Sequence, residues 1–68
     1  LGQISIAAKN FEKAIEINPS YILALLNLGV VLTDLEQKDE AAKFFKRVIA
    51  IEPNNPLAQK NLKELSSD

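Results

Sequence analysis

The side chains that could do chemistry are few, and they cluster. Asp34, Glu36, Asp39 and Glu40 bring four carboxylates within seven positions. Paired carboxylates can serve acid–base catalysis or hold a hard cation through oxygen ligands. Hydroxyls are present at Ser5, Ser20, Thr33, Ser66 and Ser67. A hydroxyl becomes a nucleophile only beside a base that takes its proton. The sequence holds no histidine and no cysteine. That removes the usual neutral-pH base, the commonest metal ligand, the thiolate and the disulfide. There is no calcium-loop spacing and no glycine-rich phosphate loop. Acidic residues at a helix junction are expected as helix-start charge and solvated surface. The expectation is therefore a protein that is not an enzyme and that needs no cofactor or metal.

The elements that would position these side chains follow a repeat. Pro19 and Pro53 lie 34 positions apart, and the residues ahead of them match. Phe11 corresponds to Phe45, Lys9 to Lys43, Ala8 to Ala42, Lys13 to Arg47, Ile15 to Ile49 and Ile17 to Ile51. Self-similarity at this period marks a helical solenoid, whose units stack and bury a shared core. A chain of 68 residues is a single domain, or part of one. At this size only about 60% of the unfolded surface is buried, so stability must come from packing between units. The net charge of −1 offers no clustered basic face for nucleic acid.

Periodicity predicts four helices. The first covers Gln3 to Ile17, with a stripe of Ile4, Ala7, Ala8, Phe11, Ala14 and Ile15 at three- and four-residue steps. Asn18 and Pro19 stop it. Ser20 is the candidate N-cap of the second, over Tyr21 to Leu35, which is apolar nearly all round and so suited to burial between two neighbours. Asp39 is the candidate cap of the third, which runs to Ile51 with Ala41, Ala42, Phe44, Phe45, Val48 and Ile49 inward. Asn55 followed by Pro56 opens the fourth, which reaches Leu65 before Ser66, Ser67 and Asp68 fray. The Tyr21–Leu35 stretch is broken by Asn27, Gly29, Thr33 and Asp34. It falls short of the about 20 apolar residues of a membrane span. No basic-then-apolar leader opens the sequence. The compartment is not fixed by these features; the cytoplasm is the expectation. Because the sequence begins at Leu1 within a pattern, it reads as a piece of a longer polypeptide.

The stretch Ile22–Asn55 resembles one full tetratricopeptide repeat. It carries Asn27-Leu28-Gly29 in its first helix, Asp39-Glu40-Ala41 opening its second, then Phe45 and Ile51-Glu52-Pro53-Asn54-Asn55. Residues 1–21 resemble the second half of a preceding repeat, with Gly2 in the turn between helices. Residues 56–68 resemble the first helix of a following repeat, or a capping helix, with Asn61-Leu62 echoing Asn27-Leu28. The resemblance implies an all-α fold of antiparallel helix-turn-helix repeats stacked as an α-solenoid segment, and a protein–protein interaction scaffold. It maps the lining of a concave, partner-binding groove onto Leu23, Leu26, Asn27, Val30, Thr33 and Asp34. One period later the lining maps onto Leu57, Lys60, Asn61 and Glu64. The implied occupant is a protein or peptide; no nucleic acid and no membrane insertion are expected. A second expectation is self-association, with Leu23, Leu26 and Val30 pairing between copies as a homo-oligomer.

Departures from the family pattern sharpen these expectations. Leu25 and Leu32 stand where the family prefers aromatics, and Val48 where it prefers alanine. One subclass clamps a C-terminal carboxylate of chaperones. Asn27 and Lys60 match two places of that clamp, but Glu64 stands where an arginine is wanted and would repel the carboxylate. Glu36 replaces the glycine of the inter-helix turn, in a run of good helix formers, Glu36-Gln37-Lys38. Two readings of this segment follow: an ordinary turn with one strained residue, or a continuous helix that would permit domain swapping. Gly29 and Ala41 are the small residues expected to let two helices approach.

Overall fold

The computed structural model describes residues 2–66, and the side chains of residues 6–66. Four helices follow one another: α1 (Gly2–Ile17), α2 (Ile22–Asp34), α3 (Lys38–Ile51) and α4 (Pro56–Leu65). No strand occurs among the described residues. Gly2, expected in a turn, is the first residue of α1. Leu1, the Ile4 side chain, the Ser5 hydroxyl, Ser67 and Asp68 lie outside the described residues.

Each helix packs on its neighbours in sequence, α1 on α2, α2 on α3 and α3 on α4. The result is a slab measuring 29 × 28 × 15 Å. A slab this thin has room for one shallow core, and α2 lies in its middle. This explains the composition of α2, which buries Ala24, Leu25, Leu26, Leu28 and Gly29 against helices on both sides. From α3 the core takes Ala41, Phe45 and Val48; from α1 it takes Ile15 and from α4 Ala58. No buried side-chain nitrogen or oxygen among the described residues lacks a hydrogen-bond partner.

The two proline turns are built alike. The Asn18 N–H donates to the Ala14 carbonyl at 2.9 Å, and the Tyr21 N–H to the Asn18 carbonyl at 3.0 Å. One period on, the Glu52 N–H donates to Val48 at 2.7 Å and the Asn55 N–H to Glu52 at 3.0 Å. The repeat read from side chains is thus also a repeat of backbone hydrogen bonds. The side-chain caps differ. Asn55 Oδ1 accepts from the Ala58 N–H at 2.9 Å, with Pro56 opening the helix. At the start of α2 the N-cap is Tyr21, which makes no side-chain cap, so the expected cap at Ser20 is corrected. Ser20 instead gives its backbone N–H to Asn18 Oδ1 at 3.2 Å, a local turn ahead of the helix.

Asp39 likewise is not a cap. The N-cap of α3 is Gln37, and Asp39 lies in the first turn with Glu40. There both carboxylates face the positive end of the helix dipole. Ser66, expected to fray, is tied to the end of α4: its hydroxyl donates to the Leu62 carbonyl at 2.9 Å.

Between α2 and α3 the chain turns rather than continuing as one helix. Glu36 has φ 61°, the left-handed conformation usually reserved for glycine. The Glu36 N–H donates to the Thr33 carbonyl at 3.0 Å and the Gln37 N–H to the Leu32 carbonyl at 2.8 Å. This paired arrangement is the Schellman motif, formed without its glycine. A further tie joins α3 to the first turn: Arg47 Nη2 donates to the Pro19 carbonyl at 3.4 Å, and its guanidinium lies 5.4 Å from the centroid of the Phe44 ring.

Candidate partner-binding groove

The residues expected to line a groove come from the outward sides of α2 and α4. In a helix, residues three and four apart share a face. On α2, Leu23 is 58% exposed and Val30 42%, both large apolar side chains in contact with solvent. Leu57, on α4, is 56% exposed. Leu26 differs. It is 8% exposed and belongs to the core.

The polar members of the set divide by their hydrogen bonds. Thr33 Oγ1 donates to the Gly29 carbonyl at 2.8 Å, a bond within its own helix. Asn61 Nδ2 does the same with the Leu57 carbonyl at 2.8 Å. Asn27 is half-buried and its carboxamide has no hydrogen bond among the described residues. Asp34, Lys60 and Glu64 are exposed.

A cleft of about 230 Å³ between α1 and α2 brings Leu23 and Asn27 together. Its other walls are Asn10, Phe11, Ala14, Tyr21 and Ala24. Val30, Thr33, Asp34 and the α4 residues are not among its walls. Sequence reasoning placed Phe11 and Ala14 in the core and passed over Asn10 and Tyr21. The signal lies in Phe11. Its counterpart Phe45 is fully buried, whereas Phe11 is half-buried and is one wall of the cleft.

The acidic cluster has no comparable organisation. Asp34, Glu36, Asp39 and Glu40 are all exposed, and Glu40 pairs with Lys43 at 3.1 Å on the surface of α3. Among the described residues no group of three or more acidic, histidine or cysteine side chains is placed to hold a metal ion. No described helix is long and apolar enough to cross a membrane.

A stack of antiparallel helix pairs that repeats its turns and its core positions every 34 residues is an α-solenoid segment. The chain belongs to the tetratricopeptide repeat family: the family's model matches residues 1–65. Among curated relatives it is 34% identical over 64 residues to sperm-associated antigen 1 of Mus musculus, covering 94% of this chain and 7% of that protein. It is 36% identical over 62 residues to FK506-binding protein-like of Homo sapiens, covering 91% of this chain and 18% of that protein. Against uncharacterized protein ycf37 of Pyropia yezoensis the identity is 32% over 59 residues, covering 87% of this chain and 33% of that protein. The chain thus spans a third or less of the length of these relatives. The family is a non-catalytic interaction fold, and in that general sense the chain is a protein–protein interaction module.

Proposed function

We propose that the chain is a scaffold segment that holds a peptide stretch of a partner protein along the outward faces of α2 and α4. The observation that carries this reading is the set of exposed apolar side chains Leu23, Val30 and Leu57 on helices whose opposite sides are committed to the core. Large apolar groups left in solvent on a small domain favour a partner surface. The cleft beside Leu23 would accept one apolar side chain, with the Asn27 carboxamide free to bond the peptide main chain. Main-chain bonding gives affinity and pockets give specificity, the usual division in peptide recognition. Lys60, Asn61, Glu64, Thr33 and Asp34 would form the polar margin.

A random peptide library displayed on phage and selected on this chain tests the reading. Selected peptides should lose binding to the Leu23→Glu and Val30→Glu variants and keep it with Lys43→Glu, which alters the far side of α3. Peptides that bind all three alike would refute the groove. The same apolar row would also serve pairing of two copies. Light scattering across a dilution series distinguishes the two: a monomer that binds peptide supports the groove, and a tight dimer that excludes peptide opposes it.

A further inference from the structure

A second cleft, of about 430 Å³, opens between α3 and α4, away from the residues of the proposed groove. Its floor is apolar, made by Ala42, Leu62 and Leu65. Its rim carries three ammonium groups, Lys38, Lys46 and Lys63, against the single carboxylate of Asp39. Lys38 already has an interaction partner, so the cations that the rim offers are Lys46 and Lys63. Lys46 and Lys63 have no ion-pair partner among the described residues.

The repeat shows what shape fits such a face and what does not. One period earlier, the matching face of α2 is covered by a helix, α3. There Leu25, Leu28 and Gly29 are buried, Leu32 packs against the core and the Phe45 ring lies on Gly29. The corresponding positions of α4 are Gln59, Leu62, Lys63 and Ser66. Leu62 alone keeps the apolar type. A helix of the ordinary repeat kind, with its aromatic ring where Phe45 stands, would meet the Lys63 side chain instead of bare backbone. The α4 face therefore offers a seat for a helix, with a chemistry different from that of α2.

We propose that the α3–α4 cleft docks an acidic amphipathic helix of a partner protein. That helix would carry a narrow aliphatic stripe against Ala42, Leu62 and Leu65, with carboxylates on its flanks to meet Lys46 and Lys63. It would have no aromatic residue over Lys63. Charged rims steer encounter and fix orientation, while the apolar floor contributes the area-dependent part of the affinity. This docking is independent of the groove on α2.

Two synthetic peptides of about 20 residues, beyond the length at which an isolated helix is marginal, test it. Both present a Leu/Ala stripe; one is flanked by glutamate and the other by lysine. In two-dimensional amide NMR spectra of the chain, the glutamate peptide should shift Ala42, Lys46, Leu62 and Leu65 and leave Leu23 and Val30 in place. Its binding should weaken with added salt. The double variant Lys46→Glu/Lys63→Glu should bind it about tenfold more weakly, as loss and reversal of two exposed pairs implies. The same variant should gain affinity for the lysine peptide. That exchange separates lost charge from lost folding. Equal binding of both peptides to the unaltered chain would overturn the proposal. So would shifts centred on Leu23 and Val30, or the absence of saturable binding by the glutamate peptide.

Discussion

The Phe45 ring lies directly on the backbone of Gly29: a Cβ added to that glycine would sit 2.6 Å from Cζ and 2.7 Å from Cε1. Carbon atoms do not approach so closely without something moving. Glycine in mid-helix costs about 1 kcal/mol against alanine, so in an open helix Gly29→Ala would stabilise. Here the sign reverses. Gly29→Ala should destabilise by roughly 1–3 kcal/mol and Gly29→Leu by the upper end of that range or more, the usual effect of overpacking. Urea denaturation followed by circular dichroism reads this. Combining Gly29→Ala with Phe45→Leu should recover part of the loss, because the two residues share one contact. Strict additivity in that cycle would show that the ring is not the obstacle.

Phe45 and Phe11 occupy the same place in the repeat and differ in surroundings. Phe45 is 0% exposed; Phe11 is half-buried. Truncating a buried phenylalanine costs about 3–5 kcal/mol. At roughly 0.05–0.15 kcal/mol per residue, the whole fold is stable by only about 3–10 kcal/mol. Phe45→Ala should therefore leave a substantial unfolded fraction at 25 °C, visible as lost helical circular dichroism. Phe11→Ala should cost about half as much and leave the chain folded. Equal losses would mean that sequence position, not local covering, sets the cost.

The α4 start tests which polar residues hold the helices. Asn55 Oδ1 bonds the Ala58 N–H, and Asn55 Nδ2 donates to Glu52 Oε1 at 2.9 Å. Asn55→Ala should cost about 1 kcal/mol, the typical value of an N-cap. Ser20 makes its one bond through its backbone N–H, which any residue other than proline retains. Ser20→Ala should stay within about 0.5 kcal/mol of the parent, as for other exposed sites without a special role. Thermal unfolding of the two variants side by side gives the comparison. A Ser20→Ala loss as large as that of Asn55→Ala would restore the cap that the sequence suggests.

The helices, their stripe residues and the family were legible because each rests on spacing, and spacing survives substitution. Gly29 was legible for a similar reason: a glycine in a helix calls for a close neighbour, and the nearest atoms all belong to the Phe45 ring. The caps at Ser20 and Asp39 were misread because serine and aspartate are good caps wherever they fall. Which one caps depends on where the preceding turn closes, and the turn after Pro19 closes at Tyr21, one residue past Ser20. Leu26, expected in the groove lining, is buried in the core; a groove-facing and a core-facing position differ by a small rotation about α2, which the sequence pattern does not resolve. The cleft beside Leu23 was hidden for a different reason. Its walls join α1 to α2, and only the angle between the helices decides whether Phe11 is covered.

Among the described residues Glu36 is the one non-glycine residue with a positive φ, and there local preference and fold oppose each other. The sequence Glu36-Gln37-Lys38 favours continued helix, yet Glu36 sits at φ 61° and the helix ends. For an L-residue other than glycine, asparagine or aspartate, this conformation costs roughly 1–2 kcal/mol. The bonds from Glu36 to Thr33 and from Gln37 to Leu32 offset part of that, and the packing of α3 on α2 supplies the rest. Glu36→Gly removes the strain, but it also loosens the unfolded chain by about 0.4–1 kcal/mol. The expected net effect is a gain of up to about 1 kcal/mol, read by urea denaturation. Glu36→Val should lose about 1 kcal/mol or more, because a β-branched side chain tolerates a positive φ poorly. If copies exchange α3 through an extended helix, Glu36→Gly should also shift any dimer toward monomer in light scattering, since the closed turn gains and the straight helix loses. An unchanged assembly state in a more stable variant would show that the turn closes within one chain irrespective of its glutamate, and that the strain is carried by packing alone.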